Sequence, residues 1–175
     1  MRLLFWGFAL SSIVSHASPF AMKSVQTSIE ESKCIKIKSH EYDRESVARP
    51  YEYQELECPG LGGYQVFYSG KDQKYLIGLK YNGQVINFEA PSTLHEIAQK
   101  NIEWRVEQNL NETAEFKALL FQVNMIDENS EALKKTEVIY VVRLNGEKSC
   151  LLSKSPDWKS ATEIADNPKS KCSKD

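Results

Sequence analysis

Histidine is scarce in this sequence, and the short motifs of common catalytic and metal sites are missing. The histidines are His16, His40 and His95. No Gly-x-Ser-x-Gly and no His-Glu-x-x-His is present, although hydrolases use these patterns to pair a nucleophile or a zinc ion with a base. No cysteine occurs in the C-x-x-C spacing of zinc sites. The sequence therefore predicts no catalytic residue, no metal and no cofactor, and it favours a non-enzymatic protein.

The sequence also lacks an apolar run long enough to span a membrane, which requires about 20 residues. One shorter run, from Leu3 to Val14, follows the basic Arg2. Ser15-His16-Ala17 then places small residues at both recognition positions of a signal-peptidase site. We expect residues 1–17 to be a cleaved signal peptide and the mature chain, without a transmembrane segment, to be periplasmic or secreted.

Basic charge is not in excess either. Without residues 1–17 the chain keeps 21 basic and 24 acidic side chains, and this balance argues against a nucleic-acid binder, which needs a basic face to neutralise phosphates. A basic cluster at Lys169, Lys171 and Lys174 is interpreted as a solvated tail. We expect a loose lead-in over residues 18–31 and a single domain over residues 32–175.

All four cysteines lie in the mature part. An even count in an exported chain of this size indicates two disulfides, and three pairings are possible. We favour Cys34–Cys58 and Cys150–Cys172, because each closes a short loop within one end of the chain. Each loop is expected to stabilise the fold by about 3 kcal/mol.

Strand patterns dominate the rest of the mature sequence. Residues 63–89 contain three apolar segments, separated by turn residues, and Asn82-Gly83 is typical of a type I′ hairpin. Ile102, Trp104 and Val106 alternate with charged residues, as in a half-buried strand. Residues 138–142 are apolar on both faces, which indicates a central strand.

Two segments predict helices. Thr93 and Glu96 form a capping box, which predicts a short helix to about Lys100. Ser155-Pro156 is interpreted as the N-cap and first position of a C-terminal helix. We therefore predict a mainly β fold, at the border of α+β: a single curved antiparallel sheet or partly open barrel of seven to nine strands, with the C-terminal helix packed on it.

Two stretches stand out as candidate sites. The glycine-rich segment from Cys58 to Tyr64 leads into a strand and lacks the Gly-Lys-Ser/Thr of a phosphate loop, so we interpret it as a tight connection with Tyr64 as an exposed aromatic. In Glu103-Trp104-Arg105, alternation directs Trp104 inward and Arg105 outward. Arg105 then either forms a weak exposed ion pair with Glu103 or lies in a groove and holds a carboxylate or phosphate.

These motifs resemble those of an uncharacterised family of small exported proteobacterial proteins. The resemblance rests on Cys58-Pro59-Gly60-x-Gly62-Gly63-Tyr64 and on Glu103-Trp104-Arg105. It continues through Phe116-x-Ala118-Leu119-Leu120, Cys150, Ile164-Ala165-Asp166 and Cys172. The family implies no activity, so it assigns no role to any of these residues.

A second resemblance is to the periplasmic lysozyme inhibitors, which are small disulfide-bonded β proteins. Ser69-Gly70 followed by Tyr75 is similar to their Ser-Gly-x-x-Tyr signature, with two additional residues in the spacing. Two functions follow as hypotheses. One is a protein that binds an envelope protein or an envelope polymer; the other is an inhibitor that enters a hydrolase cleft through the 69–75 loop. An enzyme with an unrecognised site is a third alternative.

Overall fold

A computed structural model describes residues 21–42, 51–71, 74–86, 95–108, 113–126 and 135–173. The expected signal peptide and the predicted helix cap Thr93 lie outside these residues. The described residues form eleven strands, one short 3₁₀ turn at Glu31–Lys33 and one α-helix. The strands are β1 (Ala21–Ser28), β2 (Ile35–Tyr42), β3 (Tyr51–Cys58), β4 (Tyr64–Lys71), β5 (Lys74–Tyr81), β6 (Gln84–Ile86), β7 (His95–Ile97), β8 (Asn101–Gln108), β9 (Ala114–Ile126), β10 (Lys135–Arg143) and β11 (Cys150–Ser155), and the helix is α1 (Trp158–Asp166).

All strand pairs in these named strands are antiparallel, and the strands form two groups of five. One sheet has the order β2-β3-β4-β5-β6, the other has the order β1-β8-β9-β10-β11, and the short strand β7 pairs with both β5 and β9. Among the described residues, β1, β2, β6 and β11 each pair with one strand, so the sheets are not closed. The prediction of a mainly antiparallel β domain with one C-terminal helix is confirmed. The arrangement differs from the predicted single sheet of seven to nine strands because the 13-residue β9 pairs with β8 through its first half and with β7 through its second.

The main hydrophobic core lies between the two sheets. The β2–β6 sheet contributes Leu56, Val66 and Leu79. The sheet with the order β1-β8-β9-β10-β11 contributes Trp104 and Leu119. Trp104 is fully buried, as the alternation predicted, and its indole Nε1 donates to Thr27 Oγ1 at 2.9 Å. The β4–β5–β6 meander, including the Asn82-Gly83 turn with positive φ at both residues, agrees with the sequence prediction.

A second core lies between α1 and the outer face of β9, β10 and β11. Ala161 and Ala165 of the helix pack against residues such as Leu120 and Val141. Strand β10 is therefore buried on both faces, as predicted. The helix begins two residues later than expected: its N-cap is Asp157, whose carboxylate accepts from the Ser160 backbone N–H at 2.9 Å, whereas Ser155 lies at the end of β11.

Two local predictions are wrong. The predicted loose lead-in contains β1, which pairs with β8 along all eight of its residues, from Ala21↔Gln108 to Ser28↔Asn101. The predicted helix after Thr93 is instead β7, which continues the pairing of β9 at Val123. In both segments, an unpaired sheet edge offers backbone hydrogen bonds to the chain. These hydrogen bonds outweigh the weak local preference of the first segment for a loop and of the second for a helix.

Both predicted disulfides are present. Cys34–Cys58 joins the start of β2 to the end of β3, and Cys150–Cys172 joins the start of β11 to the segment after α1. The second disulfide is accompanied by a backbone hydrogen bond from Ser173 N–H to Leu151 O at 2.8 Å. The segment that follows α1 is therefore attached to β11.

Candidate functional site

The residues singled out in the sequence do not form one site. Ser69, Gly70 and Tyr75 lie together at the end of the β4–β5 hairpin, where Gly70 pairs with Tyr75. Ser69 to Lys71 and Lys74 to Tyr75 belong to the strands, so the connection is shorter than the expected 69–75 loop. Tyr64 lies between the sheets and Arg105 lies on the outer face of the β1–β11 sheet.

Tyr64 is buried, contrary to the expected exposed aromatic. Its side chain is 6 % exposed, and its hydroxyl accepts from the Gly146 backbone N–H at 2.6 Å. The preceding glycines permit this packing: Gly62 has φ +65°, and a Cβ there would lie 2.3 Å from the Phe116 ring. The glycine-rich segment is thus a tight connection, as interpreted, and it brings Tyr64 within 6.3 Å of Trp104, between ring centroids.

Arg105 is also buried, and this corrects the expected exposed ion pair with Glu103. Alternation is right that Arg105 and Trp104 point to opposite faces, but the C-terminal end of α1 reaches over the outer face at this point. The Arg105 guanidinium donates from Nε to Asp166 Oδ1 at 2.8 Å and from Nη2 to Asp166 Oδ2 at 2.6 Å. Its Nη1 contacts Ser24 Oγ and Glu103 Oε1. Hydrogen bonding to Asp166 raises the pKa of Arg105, so this cation stays charged.

A β-bulge shapes the sheet beside Arg105. Arg105 pairs with Ala118, but Val106 pairs with Phe116, so Lys117 is an extra residue in β9. Bulges of this kind redirect a side chain within a sheet. Lys117 Nζ consequently contacts Glu107 at 3.0 Å and Glu115 at 2.7 Å.

The two glutamates face each other directly in the β8–β9 register. Like charges in that position repel, and Lys117 offsets the repulsion. Burial by itself lowers the pKa of Lys117, but hydrogen bonds and charge interactions with Glu115 and Glu107 outweigh it, so the pKa lies above its ordinary value. The lysine therefore remains a cation at neutral pH.

Arg143, at the end of β10, is the next cation along the sheet. Its Nη2 donates to Asn167 O at 3.2 Å and its Nη1 to Pro168 O at 3.4 Å, just beyond the C-terminal end of α1. A cation at this end of a helix is favourable, because the last carbonyls carry partial negative charge. No carboxylate of the described residues forms an ion pair with Arg143.

Lys117, Arg143 and Asp166 line a cleft of about 480 Å³ between the C-terminal end of α1 and the outer face of the sheet. Its walls are formed by residues of β1, β8, β9, the β10 end and the segment after α1. The lining residues are Met22, Glu107, Glu115, Lys117, Arg143, Leu144, Asn145, Ala165, Asp166 and Pro168. A cleft of this volume is large enough for a small organic ligand.

The sequence pattern indicated Arg105 as a candidate site residue but did not predict the cleft. Two signals point to it in retrospect. Asp166 ends a helix that has no basic residue in its last turn, an unfavourable position for a carboxylate unless a cation lies nearby. Glu103-Trp104-Arg105 and Ile164-Ala165-Asp166 both belong to the motif set described above, and the structure joins them through the Arg105–Asp166 pair.

The chain shows no match to known proteins in three comparisons. No protein-family model, no curated protein and no solved structure matches it. Within the described ranges, no helix has the length and apolarity needed to cross a membrane. Over those same residues, no three His, Cys, Asp or Glu side chains form a group that could hold a metal ion. The structure thus defines a disulfide-bonded domain of two antiparallel sheets with one covering helix.

Proposed function

We propose that the mature chain is an exported, non-enzymatic protein that binds an envelope component in the charged cleft beside the C-terminal end of α1. The observation that supports this proposal is the cleft itself. Its side chains are held in place by contacts within the protein, as a preorganised binding site requires. Asp166 is fixed by Arg105, and Lys117 by Glu107 and Glu115.

The state of the charged groups favours binding over catalysis. A general acid or base needs a pKa near the working pH. Lys117, which lines the cleft, and Arg105, which lies behind Asp166, have raised pKa values, and each of the three lining carboxylates contacts one of these two cations. Two cations with raised pKa values offer fixed positive charge and are poorly suited to exchange protons with a ligand.

The two disulfides support export. Disulfides form and persist in oxidising compartments, and both pairs of the chain are joined in the structure. The signal-peptide pattern of residues 1–17 also predicts export to an oxidising compartment. An envelope component is therefore the partner that a protein of this kind meets.

The proposal is tested with ¹⁵N-labelled mature protein, residues 18–175, and soluble fragments of cell-envelope polymer and envelope protein extract. We expect chemical-shift changes at the amides of Lys117, Arg143 and Asp166. Arg143→Glu should abolish them, whereas Lys159→Glu, the same charge change on an exposed residue at the other end of α1, should not. Unchanged spectra for the wild-type protein with every fraction would refute a binding function for the cleft.

A second candidate function is the inhibition of a hydrolase by the end of the β4–β5 hairpin. The observation that favours it is the register, which pairs Gly70 with Tyr75 and Ser69 with Leu76 at the adjoining ends of β4 and β5. The test is cell-wall lysis by c-type, g-type and i-type lysozymes in the presence of excess mature protein. Inhibition that Tyr75→Ala removes supports this function, and undiminished lysis with all three enzymes contradicts it.

A further inference from the structure

We infer that the cleft takes a ligand that carries a carboxylate and an ammonium group together, at the separation found in a short peptide. The inference rests on the proposed binding function and adds the chemistry of the ligand. It follows from the charges that remain in the cleft after the ion pairs within the protein are counted.

One side of the cleft has a surplus negative charge. Among the described residues, Glu107 and Glu115 share one cation, Lys117, which contacts one oxygen of each carboxylate. The Glu115 side chain is 72 % exposed, so its carboxylate is accessible from the cleft. A ligand ammonium group placed here would complete the neutralisation of the two glutamates.

The other side has a surplus positive charge. Arg143 donates to the two backbone carbonyls of Asn167 and Pro168, which are neutral groups, and both contacts are long. A guanidinium has five N–H donors in a planar fork that matches a carboxylate. Donors therefore remain for a ligand carboxylate.

Asp166 does not cancel the charge of Arg143, although both line the cleft. Both oxygens of the Asp166 carboxylate accept from Arg105, in a bidentate pair. Arg105 thus acts as a positioning residue: by engaging Asp166 it leaves Arg143 available.

The register gives the backbone separation of the two residues that carry the surplus charges. Arg143 pairs with Ala118 on β9, and Glu115 lies three residues earlier on the same strand. With a rise of about 3.3 Å per residue and about 4.8 Å between strands, the two Cα atoms are about 11 Å apart. A tripeptide, at about 3.5 Å per residue, spans about such a distance.

The same arrangement disfavours ligands of one charge. A simple anion at Arg143 experiences Glu115 and Glu107, and a simple cation at the glutamates experiences Arg143. Like charges brought together in an interface repel, which disfavours ligands with the wrong combination of charges. A zwitterion satisfies both sides at once.

The test compares three tripeptide probes on the folded mature protein: trialanine, N-acetyl-trialanine and trialanine amide. The three probes share a backbone. Trialanine carries both charges, N-acetyl-trialanine carries only the carboxylate, and trialanine amide carries only the ammonium group. Titrations followed by ¹⁵N spectra and by calorimetry should give trialanine a dissociation constant at least about tenfold lower than that of either blocked peptide. Arg143→Gln should make trialanine and trialanine amide bind alike, and Glu115→Gln should do the same for trialanine and N-acetyl-trialanine.

Two outcomes overturn the inference while leaving the binding function intact. In one, a blocked peptide binds as tightly as trialanine; in the other, envelope fractions shift the cleft amides but no tripeptide does. Unchanged spectra with peptides and envelope fractions alike would overturn both proposals. Because Arg143 and Glu115 are not in the hydrophobic cores, wild-type circular dichroism of both variants is expected and serves as the folding control.

Discussion

Replacement of Arg105 by methionine should weaken the attachment of α1 to the sheet. The Arg105 side chain is 9 % exposed, and it connects β8 to the C-terminal end of α1 through its ion pair with Asp166. Methionine keeps much of the volume and removes the charge, so Asp166 loses both of its guanidinium hydrogen bonds. The substitution therefore measures the contribution of the ion pair to stability with little change in side-chain packing.

The expected loss of stability follows from how well water can replace the arginine. Breaking a fully buried ion pair by removing one partner costs about 3–5 kcal/mol. Asp166 is 29 % exposed and can be partly solvated, so we expect about 2–3 kcal/mol. In a chain of this length such a loss lowers the melting temperature by about 4–12 °C.

Urea denaturation at pH 7 with intact disulfides measures this loss. Arg105→Lys should fall between wild type and Arg105→Met, because lysine keeps the charge but not the bidentate geometry. The double variant Arg105→Met, Asp166→Leu should recover stability relative to Arg105→Met, since no buried charge is then left unpaired. Arg143→Met replaces a less buried arginine on β10 of the same sheet, is the matched control, and should lose less than about 1 kcal/mol.

A small effect would refute the reasoning. If Arg105→Met loses less than about 1 kcal/mol, Arg105 is solvated and α1 does not cover the outer face of β8 in solution. Strict additivity of the two substitutions in the double variant would likewise show that Arg105 and Asp166 do not interact. Either result would also remove the argument that Asp166 is unavailable to Arg143.

Three further predictions, two of them with a matched comparison variant, test other parts of the structure by denaturation. Trp104→Ala should cost about 3–5 kcal/mol and Trp104→Phe distinctly less, because the indole is fully buried between the sheets. Gly62→Ala should cost more than about 1 kcal/mol, since its φ is positive and the new Cβ meets Phe116; Gly83→Ala, with positive φ but open space, should cost less, and equal losses would contradict the packing argument. Lys117→Met should destabilise the fold at pH 7, because the two facing glutamates then lose the cation that they share. Because the folded pKa of Lys117 is raised, its own contribution is complete below the unfolded value and disappears as the pH rises through the folded value; a loss independent of pH would contradict this role.

The features that sequence patterns predicted correctly are local ones. The β4–β6 meander follows from apolar alternation and from the turn at Asn82-Gly83, and the burial of both faces of β10 follows from an unbroken apolar run. The preferred cysteine pairing closes short loops, and it is present in the structure. In each case the residues that decide the outcome are near neighbours in the chain.

The wrong predictions concern segments whose partners are distant in sequence. Strand β1 exists because β8, about eighty residues later, offers a free edge, and β7 replaces a predicted helix because β9 is long enough to accept another neighbour. Weak local preferences cannot indicate such pairings, since the backbone hydrogen bonds that stabilise them belong to the assembled sheet.

The sequence alone determined which way each side chain of β8 points, and the tertiary structure decided what each side chain meets. Period-two alternation assigned Trp104 and Arg105 to opposite faces, and they do lie on opposite faces. Only the packing of α1 across β9, β10 and β11 turned the outer face into an interior one. The same packing created the cleft, because a cavity between a helix end and a bulged sheet depends on the positions of elements that no local pattern encodes.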